Sequence, residues 1–198
     1  EQYYRIIKGN GAIILSSSQP FTTKLIGSNI NTFRYCFIWE KSRPTMFQHA
    51  WKMPLKSHED ICVFYKKLPT YNPQGLIKEE KVVKRTSGGG TFGDNWNSAN
   101  NYTKHYTNFP RTVLKFASEG NTIHPTQKPV DLFSYLIKTY TNENEIVLDN
   151  CIGSGTTAVA SILNNRKWIG FETEPKYIEL ANKRLEQIQL GDDLNNYK

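Results

Sequence analysis

The run from Leu148 to Ala160, LDNCIGSGTTAVA, places an acid at the end of an apolar stretch, then two glycines one residue apart, then small residues that can open a helix. Gly153 and Gly155 allow a tight turn and close approach of backbone to a ligand. The helix start behind them offers unpaired N–H groups and a positive dipole end. Glu172 follows Gly155 by 17 residues and closes the next apolar stretch, WIGFE. A carboxylate at that place can accept both hydroxyls of a ribose, so the pair predicts a nucleoside-containing cofactor. The plainer alternative is a βα turn that simply needs its glycines. Asp149, just before the turn, can meet a cationic amino group or cap the turn through its own carboxylate.

Other nucleotide chemistries fit less well. A Walker phosphate loop needs a lysine after its last glycine, where this chain has Thr156. Gly153-x-Gly155-x-x-Ala158 does satisfy the permissive dinucleotide form. Only 26 residues follow Glu172, however, too few for the strands that a dinucleotide domain places after its fingerprint. The companion strands are therefore expected upstream, in a permuted order.

The elements that must hold these residues read as a β-α-β-α series at the C-terminal end. A strand over 145–149 leads through the glycine turn into a helix, then strand WIGFE, then a helix opening at Pro175. Such alternation predicts a parallel sheet with helices on its faces. Before it, Val130, Phe133, Leu136, Ile137 and Tyr140 line one face of a helix. Further upstream, Ala12 to Ser16, FRYCFIWE at 33–40 and DICVFYK at 60–66 read as strands, the last two as a hairpin across a long loop, with a short helix near 22–26. The chain opens inside a helix with no N-cap residue before Glu1, which leads us to expect an upstream part of the domain. In between, residues 67–122 lose periodicity and carry eight Lys/Arg against four Asp/Glu, with Tyr71, Phe92, Trp96, Tyr102, Tyr106 and Phe109 interleaved. Basic and aromatic groups together suit phosphates and unstacked bases; an insertion without order is the alternative.

A chain of 198 residues with 38% hydrophobic content can bury a substantial core. Its net charge of +7 favours an anionic partner without naming one. Cys36, Cys62 and Cys151 show no CxxC spacing, and His49, His58, His105 and His124 are scattered, so neither a disulfide framework nor a metal site is expected. No apolar run approaches the ~18 residues of a membrane span. A soluble, reducing, cytoplasmic setting is the expectation.

HPTQKPVDLF, VLDNCIGSGTT and WIGFETEPKYIELANKRL, in that order, resemble the C-terminal half of the β-arranged amino-methylating DNA methyltransferases. FIWEK and PLKSHEDICVFYK are similar to the same family's central block, so the likeness covers nearly the whole chain. The resemblance implies a three-layer, Rossmann-like α/β fold with permuted strand order and a methyl group moved from S-adenosylmethionine to an exocyclic amine of DNA. Residues 1–66 would form the catalytic-side half of the sheet, 67–122 the target-recognition insert, and 123–198 the cofactor-binding half. Gly153, Ser154, Gly155, Thr156 and Thr157 would cradle the cofactor, with Asp149 near its methionine moiety and Glu172 on the ribose. His124, Thr126 and Lys128 would line the methionine end from the other side.

Double-stranded DNA would meet Lys41, Arg43, Lys52, Lys84, Arg85, Lys104 and Tyr106, and a homodimer is common among similar proteins. Adenine N6 is the expected target because the central block is more like the adenine enzymes, with cytosine N4 as the alternative. Two departures stand out. Asn150-Cys151 replaces the family's usual Pro-Phe, which puts an aromatic contact to the adenine ring in doubt and gives Cys151 a packing role. The family's diproline catalytic motif is missing from the sequence, which contains no Pro-Pro; SQPF at 18–21 is a poor imitation of it. A catalytically silent DNA- or cofactor-binding homologue, a nicotinamide oxidoreductase and an RNA or protein methyltransferase stand as rival readings.

Overall fold

The computed structural model describes residues 2–83, 102–119 and 127–189. Its first unit comprises 1–72 with 111–198, and its second is Pro73–Pro110. In the first unit, α1 (Gln2–Ile6) leads to β1 (Ile13–Ser17), α2 (Phe21–Ser28), β2 (Phe33–Thr45) and β3 (Lys56–Phe64). After the second unit come β6 (Val113–Phe116), α3 (Val130–Tyr140), β7 (Ile146–Asp149), α4 (Thr156–Leu163), β8 (Lys167–Gly170) and α5 (Pro175–Gln189). The second unit holds β4 (Ile77–Val83) and β5 (Tyr102–Thr107) as an antiparallel pair. The compact second unit is thus narrower than the 67–122 insert read from the sequence. VLKF at 113–116, inside that 67–122 range, forms a strand of the main sheet.

Four strands lie in the order β1-β3-β2-β6. β3 runs antiparallel to both β1 and β2, while β6 runs parallel to β2. The short link between Thr45 and Lys56 permits only a hairpin, since a parallel return needs a crossover of about a dozen residues or more. Alternation along β3 divides the core. Ile61 and Val63 join Phe37, Trp39 and Leu114 beneath Leu132, Leu136 and Tyr140 of α3. Cys62 and Phe64 turn the other way, against Ile13 and the α1–α2 side. This gives three layers, with helices covering both sheet faces. Cys36 and Cys62 face each other across β2 and β3 with their sulfurs 3.5 Å apart. Burial, then its neighbour Cys62, pushes the Cys36 thiol up to about 12, so it stays protonated.

α3 also joins the two halves of the first unit. Its Val130 and Ile137 pack with Ala158, Val159 and Ala160 of α4 and with Leu185 and Ile188 of α5. At the far ends, Arg166 donates to the Thr141 carbonyl at 2.8 Å and to its hydroxyl at 3.1 Å, supplying a cation where two helix C-termini meet. The sequence predicted one sheet throughout. Instead β7 and β8 form their own two-stranded parallel ladder, and among the described residues no strand lies on the other edge of β7. Val147 packs inward on the second cluster, whereas Ile146, Leu148, Ile169 and Phe171 are exposed.

Candidate functional site

The glycine turn between β7 and α4 is held from several sides. Gly153 and Gly155 have φ of 53° and 81°, a left-handed conformation that residues with a Cβ adopt only at a cost. A Cβ on Gly155 would lie 3.2 Å from the Cβ of Ala181. Close packing against α5 is therefore a second reason for glycine here, in addition to any ligand. The hydroxyl residues that follow, Ser154, Thr156 and Thr157, are buried.

Asp149 ends β7 half-buried. One carboxylate oxygen accepts the Cys151 N–H at 2.9 Å and the other the Thr157 hydroxyl at 2.5 Å. It therefore does cap the turn, one of the two roles the sequence left open. Glu172 follows β8 and likewise binds backbone. It accepts from Gly153 N at 2.9 Å, from Thr173 N at 2.8 Å and from Glu174 N at 3.0 Å. Two carboxylates at neighbouring strand ends thus bracket one turn and hold its amides in place.

Lys128 lies on another partner. Its Nζ is 2.7 Å from Glu59, whose other oxygen is 2.7 Å from Lys41, and both ammonium groups lie over the Trp39 ring. Burial pushes the Glu59 carboxyl up, but the two lysines outweigh it and hold the group below the usual carboxylate range. The side chain of Lys41 is only 11% exposed in this arrangement and is paired with Glu59. Gln127 lies beside Lys128 and accepts from the Ser154 hydroxyl at 3.3 Å, which links the lysine cluster to the glycine turn. Arg43 and Lys52 are exposed. Tyr106 is exposed on β5 of the second unit, and Lys104 lies on the same strand opposite Lys81. His124, Thr126, Lys84 and Arg85 lie outside the described residues.

Sequence reasoning missed Arg184 and Glu119. The buried Arg184 reaches from α5 to the Ser154 carbonyl at 3.3 Å and the Thr156 hydroxyl at 3.2 Å, with Glu119 at 3.8 Å. Glu119 also accepts from Gln127 and from Val130 N. The signal was present: Arg184 interrupts the apolar stripe Ala181, Leu185, Ile188, where a charge must have a partner. Cys151, expected to pack, is exposed instead, its sulfur accepting from the Asn150 amide. A second polar cluster joins Ser17, Thr22 and the buried Asp60, the Thr22 hydroxyl donating to Asp60 at 2.6 Å.

Taken as a whole, the site is a buried turn with two acids at its rim, able to hold a ligand that carries hydroxyls and a positive charge. Among the described residues no group of His, Cys, Asp and Glu is arranged for a metal ion, and no helix is long and apolar enough to cross a membrane. Comparison with known proteins agrees with the architecture. The chain is 43% identical over 199 residues to the Type II methyltransferase M2.MboI of Moraxella bovis, covering 94% of this chain and 63% of that protein. It is 27% identical to the Type II methyltransferase M.HpaI of Haemophilus parainfluenzae, covering 98% and 59%. Both matches span less than two thirds of those relatives' own length.

Among solved structures, the M1.HpyAVI–SAM complex superposes with a TM-score of 0.66 at 25% identity, covering 93% of this chain and 78% of that one. The cytosine-N4-specific PvuII DNA methyltransferase superposes at 0.62 with 16% identity, covering 97% and 72%, a likeness of fold. The N6_N4_Mtase family model, described as DNA methylase, matches residues 1–183, and the chain belongs to that family.

Proposed function

We propose that this protein methylates the exocyclic N6 of adenine in duplex DNA, with S-adenosylmethionine as methyl donor. The observation that carries the reading is the buried glycine turn bracketed by Asp149 and Glu172, in a chain of the DNA methylase family. The residues present suit that donor. Its ribose diol and amino group are hydrogen-bond donors and its sulfonium is a cation, and the turn presents two part-exposed carboxylates. When bound, it supplies an electrophilic methyl group.

Each residue then has a task. Glu172 holds the ribose and Asp149 the amino end, while Gly153, Ser154, Gly155, Thr156 and Thr157 form the cradle. Arg184 and Glu119 keep that cradle rigid from behind, so little ordering is left to occur on binding. Lys128 is fixed by Glu59, and His124 and Thr126 complete the methionine side by resemblance. Arg43 and Lys52 of the β2–β3 hairpin and Tyr106 of the second unit meet DNA, with Lys84, Arg85 and Lys104 as further basic contacts. The target base leaves the duplex to be reached, since its amine is inaccessible inside the stack. No residue of this sequence is assigned the orientation of that amine. Adenine is favoured over cytosine because the central block is more like the adenine enzymes. We also infer a cytoplasmic setting and a homodimer from the same family likeness.

Methyl transfer from labelled S-adenosylmethionine to unmethylated DNA by the full-length protein, with the nucleosides identified by mass spectrometry, tests the reading. N6-methyladenine is expected. N4-methylcytosine would move the target to the other base. A bound cofactor with no labelled nucleoside would make this a silent DNA- or cofactor-binding homologue.

A further inference from the structure

The β2–β3 hairpin carries a feature that cofactor binding does not use. Pairing of β2 with β6 ends at Lys41 opposite Phe116, whereas its pairing with β3 resumes beyond a bulge at Thr45 opposite Lys56. The hairpin therefore continues past the end of that pairing, β3 advancing two residues from His58 to Lys56 while the bulge in β2 takes up the rest of Lys41–Thr45. Its tip is tightly closed. Met46 has φ of 73°, His49 N bonds to the Met46 carbonyl, Ala50 N to Phe47, and Lys52 N and Met53 N to His49.

On this closed tip sit Met46, Phe47 and Met53, all exposed, and Trp51, which is 100% exposed. An indole held in water forgoes the hydrophobic gain that burial of a large apolar surface brings. Such a group marks a contact with something outside the chain. The surrounding charge indicates what that is. From Lys41 to His58 the sequence holds Lys41, Arg43, Lys52 and Lys56 and no acid, and Lys41 is neutralised by Glu59 at the base of the hairpin. The same base binds Lys128, whose neighbour Gln127 touches Ser154, so the hairpin rises from the end of the molecule that holds the glycine turn.

We propose that Trp51 is a wedge that stacks on the bases of duplex DNA, with Arg43, Lys52 and Lys56 holding the flanking phosphates. The proposal rests on the DNA methylase reading and deepens it. Apolar wedges inserted at base steps unstack them, and aromatic stacking tolerates any sequence because every base has a π-face. A step loosened in this way lowers the cost of moving a neighbouring base out of the helix. A second copy of the chain is the poorer occupant, because a two-fold contact would press two basic, acid-free arms together.

DNA-binding titrations with the full-length protein across a salt series test this. Trp51→Ala should weaken DNA affinity about tenfold to a hundredfold with the salt slope unchanged, while Trp51→Phe keeps most of the affinity. Arg43→Gln and Lys52→Gln should each reduce the slope by about 1. DNA should quench tryptophan emission in the wild type, and that quenching should be clearly smaller in Trp51→Phe, Trp96 of the 67–122 insert accounting for any remainder. Thermal unfolding of the Trp51 variants should match the wild type, since this side chain is fully exposed. Wild-type DNA affinity in Trp51→Ala would overturn the proposal, and so would a dimer that dissociates in that variant while DNA affinity is unchanged. A wild-type protein with no salt-dependent DNA affinity would be a different failure, that of the DNA reading itself.

Discussion

The glycine turn and the β2–β3 hairpin tip lie toward the same end of the first unit and are built on opposite plans. In the turn, Ser154, Thr156 and Thr157 are buried, and Asp149, Glu172 and Arg184 all bond to it. In the tip, the backbone is closed but the large side chains face solvent. The turn can receive a small, charged ligand with little rearrangement. The tip gains its contacts only from a partner. Pre-organisation by internal bonds and binding by unsatisfied surface are thus assigned to separate segments, which makes them separable by mutation.

Gly155→Val should have the largest effect. It forces a β-branched residue to φ of 81° and against Ala181, so a loss of about 3–5 kcal/mol is expected. Chemical denaturation would check it; an unchanged midpoint would mean that α5 does not seat on the turn. Arg184→Ala should come next, at about 2–3 kcal/mol, because it leaves Glu119 without its buried guanidinium and frees the turn's far side. The same denaturation series should show the loss, and a neutral result would reduce Arg184 to packing.

The Glu59 cluster yields a smaller, pH-dependent effect. Because the carboxyl is held below its ordinary value of 4.5, its contribution to stability is complete above that value and is lost as pH falls through the lower, folded one. Glu59→Gln should therefore be less stable than the wild type at neutral pH, with the gap closing in acid. Thermal unfolding at pH 7 and below 4 would show this, and a gap that widens in acid would reverse the assignment. Lys41→Gln should do least to DNA binding. Paired with Glu59, it should leave the salt slope of DNA affinity unchanged where Arg43→Gln lowers it by about 1. Equal slopes for the two variants would put Lys41 back among the phosphate contacts.

Much of this was legible from local pattern. The β-α-β-α ending and the hairpin of β2 and β3 follow from periodicity, glycines and Pro175, and the helix face built on Val130 and Leu136 packs as read. What escaped was set by distant partners. Lys41 reads as a surface cation until Glu59 and Trp39 are placed beside it, 18 and two residues away in sequence. The four-residue β6 is too short to show a period, and it is defined as a strand by its pairing with β2. Asp149 could be read as ligand or cap from sequence, and only the positions of Cys151 N and Thr157 show the cap.

The most direct test of the cofactor seat is calorimetric titration of S-adenosylhomocysteine and of NAD into the full-length protein and its Glu172→Ala variant. S-adenosylhomocysteine should bind and NAD should not, and the variant should bind S-adenosylhomocysteine more weakly by about 1–3 kcal/mol. Equal affinity in the variant, or preference for NAD, would contradict the assignment of the glycine turn as the S-adenosylmethionine site.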